Sequence, residues 1–318
     1  MDPGFTGIAR LAHNAPTLLA KHTAEYRQLP AFHILNRCES PRLPFEWTIN
    51  PYRGCEFGCR YCYARYTHEF MEFPDPHQFE SLIFAKQFHP AEFRTQLRKM
   101  DPCGRIALGT ATDPYQPAER RYGITRSILE ILNEFSGRLV GITTKSNLIT
   151  RDLDLLRDIS SRNTLMVNLT ITTLDTELAR KLEPLAPRPD LRIDTVRRLA
   201  AAGIPSGVFY CPVMPLINDR EEQLDAVARA AAAAGARWLF ANLLFLTDAP
   251  RKVFFAFLEE HFPGLAGPYR ACYGSRTYLR GPYAERLAER LKRIRSRHGL
   301  TGRTPQWAPP ETQLSLAL

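Results

Sequence analysis

The sequence predicts an α/β fold built around a parallel sheet. Six short stretches are typical of strands, the first partly alternating and the other five apolar. Longer stretches between them have apolar residues every three or four positions, as in amphipathic helices. Strands that alternate with helices favour a parallel sheet with right-handed crossovers. Six such units are too few to close an eight-stranded barrel. The composition, 44% hydrophobic and 24% charged over 318 residues, is that of a globular protein with an ample core.

The elements can be assigned in chain order. Residues 1–44 lack sustained periodicity and contain five prolines, so we expect an irregular N-terminal arm. Strands are predicted over 46–50, 105–109, 139–143, 165–169, 208–211 and 237–241. Helices are predicted over 125–132, 150–159, 175–182, 190–202 and 282–298, and also from residue 218 or 219 to 234 and from residue 248 onward. The expected organisation is therefore an arm over 1–44, an α/β core over 45–265 and a basic C-terminal helical segment over 266–318.

One stretch of the chain contains three closely spaced cysteines. Cys55, Cys59 and Cys62 have the spacing C-x3-C-x2-C. Grouped thiolates select iron–sulfur clusters, zinc or copper, but structural zinc sites and electron-transfer clusters have four protein ligands. Three ligands would leave one iron of a cubane cluster open to a substrate or cofactor. The alternative is that the cysteines share one helix face, which Gly54 and Gly58 disfavour because each glycine costs a helix about 1 kcal/mol.

The sequence around these cysteines resembles a known signature. The stretch NPYRGCEFGCRYCYAR, residues 50–65, resembles that of the radical S-adenosylmethionine (SAM) superfamily, in the DNA repair photolyase-like branch related to spore photoproduct lyase. The resemblance implies a [4Fe–4S] cluster on the three cysteines, SAM on the open iron, and Tyr61 beside the adenine. It also implies a partial (β/α)6 barrel and reductive cleavage of SAM to a 5′-deoxyadenosyl radical that abstracts hydrogen from a substrate. We expect the electron to come from a donor such as flavodoxin or ferredoxin.

Polar side chains follow several of the predicted strands. Parallel β/α barrels place functional groups at the C-terminal ends of their strands. This rule nominates Thr112 and Asp113 after the second strand, Lys145 after the third, Thr172 after the fourth and Cys211 after the fifth. Hydroxyl, carboxylate and ammonium groups suit a zwitterionic ligand such as SAM, and the resemblance implies SAM contacts at the first four positions. The alternatives are a turn at Asp113, a helix start near Thr172 and a surface position for Lys145.

Three residues bear on hydrogen-atom transfer. The resemblance implies that Tyr63 relays a hydrogen atom. Spore photoproduct lyase returns a hydrogen atom to thymine from a cysteine, and the matching residue here is Thr110, whose O–H bond is too strong for that step. Cys211 stands where the family has a small alanine beside SAM, and is either an apolar contact or a nearby thiol. We therefore expect an enzyme, with lyase chemistry as one option, that is not a spore photoproduct lyase in the strict sense.

The positive charge is concentrated near the C-terminus. The chain has a net charge of +9, and residues 270–303 contain ten Lys or Arg and two Asp or Glu. A localised positive field is typical of a phosphate-binding surface, although basic helices are also commonly just solvated. The nucleic-acid hypothesis rests on three arginines of the last helix, and on tyrosines available for base stacking. These residues are Arg286, Arg290 and Arg297, with Tyr269, Tyr273, Tyr278 and Tyr283.

Three functional hypotheses follow. The first is a radical SAM enzyme that acts on a nucleic-acid lesion or modified base, and the second is one that acts on a small molecule or peptide. The third is a non-enzymatic iron–sulfur or zinc module that binds nucleic acid. The chain shows neither a signal-peptide pattern nor an apolar run long enough to span a membrane. Seven cysteines, three of them clustered, indicate metal chemistry rather than disulfides, so a cytoplasmic location is expected.

Overall fold

The computed structural model describes residues 4–20, 23–41 and 43–302. The strands are β1 Thr17–Ala20, β2 Glu25–Leu29, β3 Leu35–Arg37, β4 Trp47–Ile49, β5 Tyr52–Arg53, β6 Leu82–Lys86, β7 Arg105–Leu108, β8 Leu139–Thr144, β9 Thr164–Thr170, β10 Ser206–Val213 and β11 Leu239–Leu243. The helices are α1 Gly7–His13, α2 Tyr66–Glu69, α3 Gln78–Ser81, α4 Pro90–Lys99, α5 Glu119–Tyr122, α6 Ile124–Leu132, α7 Leu153–Arg162, α8 Thr176–Leu182, α9 Pro189–Ala201, α10 Glu221–Ala233, α11 Asp248–His261, α12 Pro263–Tyr273 and α13 Pro282–Arg297.

The main sheet has seven strands in the order β11-β10-β9-β8-β7-β4-β3. Strands β4, β7, β8, β9, β10 and β11 pair in parallel, and β3 adds an antiparallel edge. These six parallel strands are the six that the sequence predicts. Within the described residues the two outer strands do not pair with each other, so the sheet is a partial barrel rather than a closed one. The prediction of an α/β partial barrel is confirmed.

Helices cover the main sheet because its strands are apolar. Strand β9 buries Leu165, Val167 and Leu169, and the apolar faces of α6, α7, α9 and α10 join the same core. Each predicted helix is observed to within a few residues, whereas α1 to α5 and α12 were not predicted. The helix expected from residue 150 begins at Leu153 because Asn147–Asp152 forms a 3-10 turn.

The prediction of an irregular N-terminal arm is wrong. Within residues 1–44 the described part contains α1, β1, β2 and β3, and β1 and β2 join β6 and β5 in a second, four-stranded sheet. Strand β2 pairs in parallel with β6, which is buried along its whole length. Pro16 directly precedes β1 and Pro30 directly follows β2, so these two prolines lie at strand ends rather than within strands.

The C-terminal segment packs on the barrel. Helices α11 and α12 share a hydrophobic cluster with the cysteine-containing loop. Helix α13 buries Leu287, Leu291 and Ile294 in the main core, as its apolar stripe predicts. Residues 303–318 of the predicted basic segment lie outside the described residues. No helix in the described part of the chain is long and apolar enough to cross a membrane.

Candidate active site

The three cysteines lie on an irregular loop that follows β5. Residues 54–62 contain no helix, so the alternative of a shared helix face is wrong. Gly54 has a φ of +79°, and a Cβ there would lie 2.8 Å from the carbonyl oxygens of both Phe79 and Leu82. The loop is fixed by backbone hydrogen bonds from Cys55 N–H to the Phe79 carbonyl (2.9 Å) and from Arg60 N–H to the Leu182 carbonyl (2.9 Å). Glycine at position 54 therefore permits close contact with the protein backbone.

The environment of the thiols suits a negatively charged group. Cys55 and Cys59 are buried and Cys62 is partly buried, and none forms a disulfide. Burial raises the pKa of the Cys62 thiol, whereas the charges of Arg65 and Lys145 lower it. The Arg65 side chain is fully buried and its Nη2 donates to the Cys59 carbonyl at 3.1 Å. These cations would stabilise a cluster held by three thiolates, so the residues present fit the group.

Across residues 4–20, 23–41 and 43–302, no group of three Cys, His, Asp or Glu side chains is arranged to hold a single metal ion.

Residues after β7 hold the cysteine loop in place. Thr112 Oγ1 donates to the Gly54 carbonyl at 2.6 Å, and Gln116 Nε2 donates to the same oxygen at 2.9 Å. The Asp113 carboxylate accepts hydrogen bonds from Thr144 Oγ1 (2.6 Å) and from the Lys145 backbone N–H (2.7 Å). The structure thus brings both predicted residues, Thr112 and Asp113, to the cysteine loop. It also occupies their polar groups with protein partners, so their contact with SAM stays a prediction.

Lys145 lies over the aromatic residue of the cysteine loop. Its Nζ is 5.6 Å from the centroid of the Tyr61 ring, a cation–π distance. Burial disfavours the charged amine, but the negative charges of Cys59 and Glu183 raise the Lys145 pKa above its ordinary value. Lys145 therefore lies beside the predicted cluster and the predicted adenine contact.

Glu183 is a site residue that the sequence analysis missed. It is buried, and it accepts hydrogen bonds from the Tyr61 hydroxyl and from Thr172 Oγ1, the latter at 3.3 Å. Arg192 Nη2 lies 2.5 Å from Glu183 Oε2 as an ion pair. Burial alone would raise the Glu183 pKa, but the charges of Arg192 and Lys145 lower it below its usual range. Glu183 follows the C-terminus of α8 rather than a strand end, so the strand-end rule could not nominate it.

Aromatic rings lie at the exposed edge of the site. Tyr63 is 43% exposed, its hydroxyl donates to the Thr110 carbonyl, and its ring meets Phe245 edge-on with 6.3 Å between centroids. Phe245 in turn contacts Tyr278, with centroids 4.5 Å apart. Cys211 is partly buried and lies near Tyr63. Burial raises the pKa of the Cys211 thiol to about 12, so it is protonated at neutral pH.

Thr110 is fixed by Asn50, a second residue that the analysis missed. Asn50 Nδ2 donates to Thr110 Oγ1 at 3.0 Å, and Asn50 Oδ1 accepts from the Ala111 N–H at 2.7 Å. The only sequence signal for Asn50 was its position at the start of the cysteine motif.

Most of the basic and aromatic residues proposed for nucleic acid have protein partners. Arg297 Nη1 lies 2.6 Å from Asp225 Oδ1, and Arg290 Nη1 donates to the Asp219 carbonyl at 2.8 Å, so both attach α13 to α10 and the loop before it. Arg286 is exposed. Tyr269 and Tyr273 are buried, so the prediction that they are available to stack on bases is wrong. The other two tyrosines have different surroundings. The Tyr283 hydroxyl donates to Asp219, and Tyr278 contacts Phe245 at the aromatic edge of the site.

The fold and the site define a class of protein: a partial α/β barrel with a three-cysteine loop at the C-terminal ends of its strands. The family model of the radical SAM superfamily matches residues 49–228. The chain therefore belongs to the radical SAM superfamily. Membership implies an enzyme that uses SAM and an iron–sulfur cluster.

Similar proteins extend over most of the chain. The uncharacterized protein Rv2578c of Mycobacterium tuberculosis is 37% identical over 277 residues, which are 86% of this chain and 80% of the relative. Spore photoproduct lyase complexed with dinucleoside spore photoproduct superposes with a TM-score of 0.63 at 16% identity, covering 86% of this chain and 80% of that enzyme. SuiB of Streptococcus suis bound to S-adenosylmethionine superposes with a TM-score of 0.51 at 15% identity, covering 81% of this chain and 50% of SuiB. At these identities the structural likeness shows the fold alone.

Proposed function

We propose that this protein is a radical SAM enzyme with one [4Fe–4S] cluster on Cys55, Cys59 and Cys62, acting on a lesion or modified base of a nucleic acid. When bound, the cluster and SAM supply the reductive cleavage of SAM that begins hydrogen abstraction from the substrate. The observation on which the proposal depends is the buried three-thiol loop beside Lys145 and the Tyr61 ring. A flavodoxin-like or ferredoxin-like donor would supply the electron.

The protein side chains have separate roles in this proposal. Lys145 provides a positive charge for the SAM carboxylate, and Tyr61 provides a ring face for the adenine. Asp113 positions Lys145 through its backbone N–H, and Glu183 holds the Tyr61 ring through its hydroxyl. Burial of the thiols and the apolar packing of α11 and α12 against the loop keep water away from the reacting groups.

The aromatic edge supports a planar substrate. Tyr63, Phe245 and Tyr278 form a contiguous row beside Thr110. Aromatic side chains stack on nucleobases of any sequence, at about 1–3 kcal/mol per base. Spore photoproduct lyase, whose structure with a dinucleoside spore photoproduct has the same fold, is a precedent for a nucleobase substrate on this scaffold. A small molecule or peptide substrate would not require a row of three rings with an exposed tyrosine at its end.

In this proposal the basic helix α13 is only a secondary surface for binding the phosphates of the nucleic acid. Arg290 and Arg297 pair with acidic groups of α10 and the loop before it, yet exposed pairs are worth only about 0–1 kcal/mol and a phosphate could compete for them. The logarithm of the affinity for DNA should then fall linearly with the logarithm of the salt concentration, with a slope of about 0.9 per phosphate neutralised. Changing Arg286, Arg290 and Arg297 together to Gln should flatten that dependence.

The test is substrate-dependent release of 5′-deoxyadenosine from reduced, reconstituted protein. Single-stranded oligonucleotides with modified or damaged bases should raise the rate above that with SAM alone, and small molecules or peptides should not. The Tyr63→Ala variant should lose this stimulation, because the ring that meets the base is gone. Phe32→Ala is the matched control, since Phe32 is an exposed ring far along the chain from the site. Stimulation by a small molecule or peptide instead would favour the second hypothesis.

A further inference from the structure

A buried lysine outside the proposed active site has no partner. Lys86, the last residue of β6, is only 7% exposed. Within the described part of the chain its ammonium group has neither a hydrogen bond nor an ion pair. The Nζ atom itself retains contact with solvent, but a lysine side chain is almost never this buried unless it is paired. The position therefore requires an explanation.

A second cation lies next to it. Arg53 of β5 pairs in register with Phe84 of β6, so Arg53 and Lys86 are diagonal neighbours on one face of the second sheet. The Arg53 Nε is buried without a hydrogen-bond partner. The Arg53 charge, after burial itself, helps to lower the pKa of Lys86 to about 7. No carboxylate of the described residues pairs with either group.

The predicted iron–sulfur cluster does not explain why Arg53 and Lys86 are both basic. The cations that act most strongly on Cys59 and Cys62 are Lys145, Arg65 and Arg192, and neither Arg53 nor Lys86 is among them. The charge of Arg53 acts instead on Tyr66. Tyr66 is partly exposed, its hydroxyl has no hydrogen-bond partner among the described residues, and it is close enough to Tyr63 for their charges to interact.

We infer that Arg53, Lys86 and Tyr66 form a binding site for a phosphate group. Two adjacent basic groups without a counter-charge match a phosphate, whose binding would favour the charged form of Lys86, and the guanidinium supplies the planar fork that binds its oxygens in pairs. The Tyr66 hydroxyl is a further donor. The phosphate is either free or part of a nucleic acid whose base reaches Tyr63. Only this second source rests on the proposed function.

Thermal unfolding of the reconstituted protein tests the site without any turnover of SAM. Inorganic phosphate, against chloride at equal ionic strength, should raise the unfolding temperature of the wild type by mass action. The Lys86→Met variant should lose most of this increase, because it removes one of the two basic groups proposed to bind the phosphate. Lys99→Met, an exposed lysine of α4, should respond to phosphate as the wild type does.

Direct binding titrations distinguish free phosphate from the phosphate of a nucleic acid. They also use further variants, so the test does not depend on the folding of Lys86→Met alone. Binding of inorganic phosphate or of a short single-stranded oligonucleotide should weaken about ten- to a hundredfold in Lys86→Gln or Arg53→Gln, with iron content unchanged. Phosphate binding alone indicates the free ion, and oligonucleotide binding competed by phosphate indicates the nucleic acid. The inference is overturned if phosphate stabilises the wild type and Lys86→Met equally, or if neither ligand binds the wild type.

Discussion

The hydroxyl of Tyr61 donates a hydrogen bond to the carboxylate of Glu183, across 122 residues of sequence. This bond joins the residue before the third cysteine to the end of α8. Glu183 is also the ion-pair partner of Arg192, at 2.5 Å, and both side chains are buried. One acidic group therefore orients the Tyr61 ring and neutralises a buried guanidinium beside the cysteine loop.

Loss of the Glu183 charge should destabilise the protein. Glu183→Gln leaves Arg192 buried without a counter-charge, which should cost about 3–5 kcal/mol in the free energy of unfolding. Glu177→Gln, at an exposed position of α8, is the matched control. In a double-mutant cycle, Arg192→Gln added to Glu183→Gln should cost much less than it does alone. Additive costs would show that the two charges do not interact.

The cluster should depend on three cysteines and no others. Protein purified without oxygen should contain about four iron and four sulfide per chain, as a cubane does. Replacing Cys55, Cys59 or Cys62 with Ala should abolish both. The controls are Cys38, Cys103 and Cys272, which lie outside the loop and should be replaceable by Ala without loss of iron. Stoichiometric zinc without labile sulfide would favour the third hypothesis, a structural metal module.

Lys145 should contribute to SAM affinity. Lys145→Ala removes the charge proposed to bind the SAM carboxylate, a charge-assisted contact worth about 1.5–3 kcal/mol, or about ten- to a hundredfold in Kd. Equilibrium binding of SAM to the reconstituted protein measures this loss. Lys181→Ala, at an exposed position of α8, should bind SAM as the wild type does. An unchanged Kd in Lys145→Ala would remove this residue from the site.

The protein should not repair spore photoproduct efficiently. Thr110 stands where a hydrogen-donating cysteine is expected by resemblance, and its hydroxyl is engaged with Asn50. Cys211→Ala should leave iron content and SAM cleavage nearly unchanged, because neither requires the thiol. Product analysis with the dinucleotide substrate provides the test, and catalytic repair by the wild type would contradict the role inferred for Thr110.

Periodicity was sufficient to predict the main sheet, but not the second sheet or the residues supporting the site. The last five parallel strands are recognisable because each is an apolar run followed by a helix, and the first because it leads into the cysteine motif. Strand β6 is a short apolar run whose parallel partner, β2, lies more than fifty residues earlier, so no local signal identifies the pair. The three cysteines are a local motif, whereas Glu183 and Arg192 meet them only through tertiary packing. The basic stripe of α13 looks the same in sequence whether its arginines bind phosphate or the acidic residues of α10.

Release of 5′-deoxyadenosine from SAM, measured after anaerobic reduction of the reconstituted protein, tests the central claim most directly. The wild type should form 5′-deoxyadenosine and methionine in equal amounts, and Cys59→Ala should form neither. A wild type that contains the full complement of iron and sulfide, binds SAM and still forms no 5′-deoxyadenosine on reduction would contradict the assignment of radical SAM chemistry.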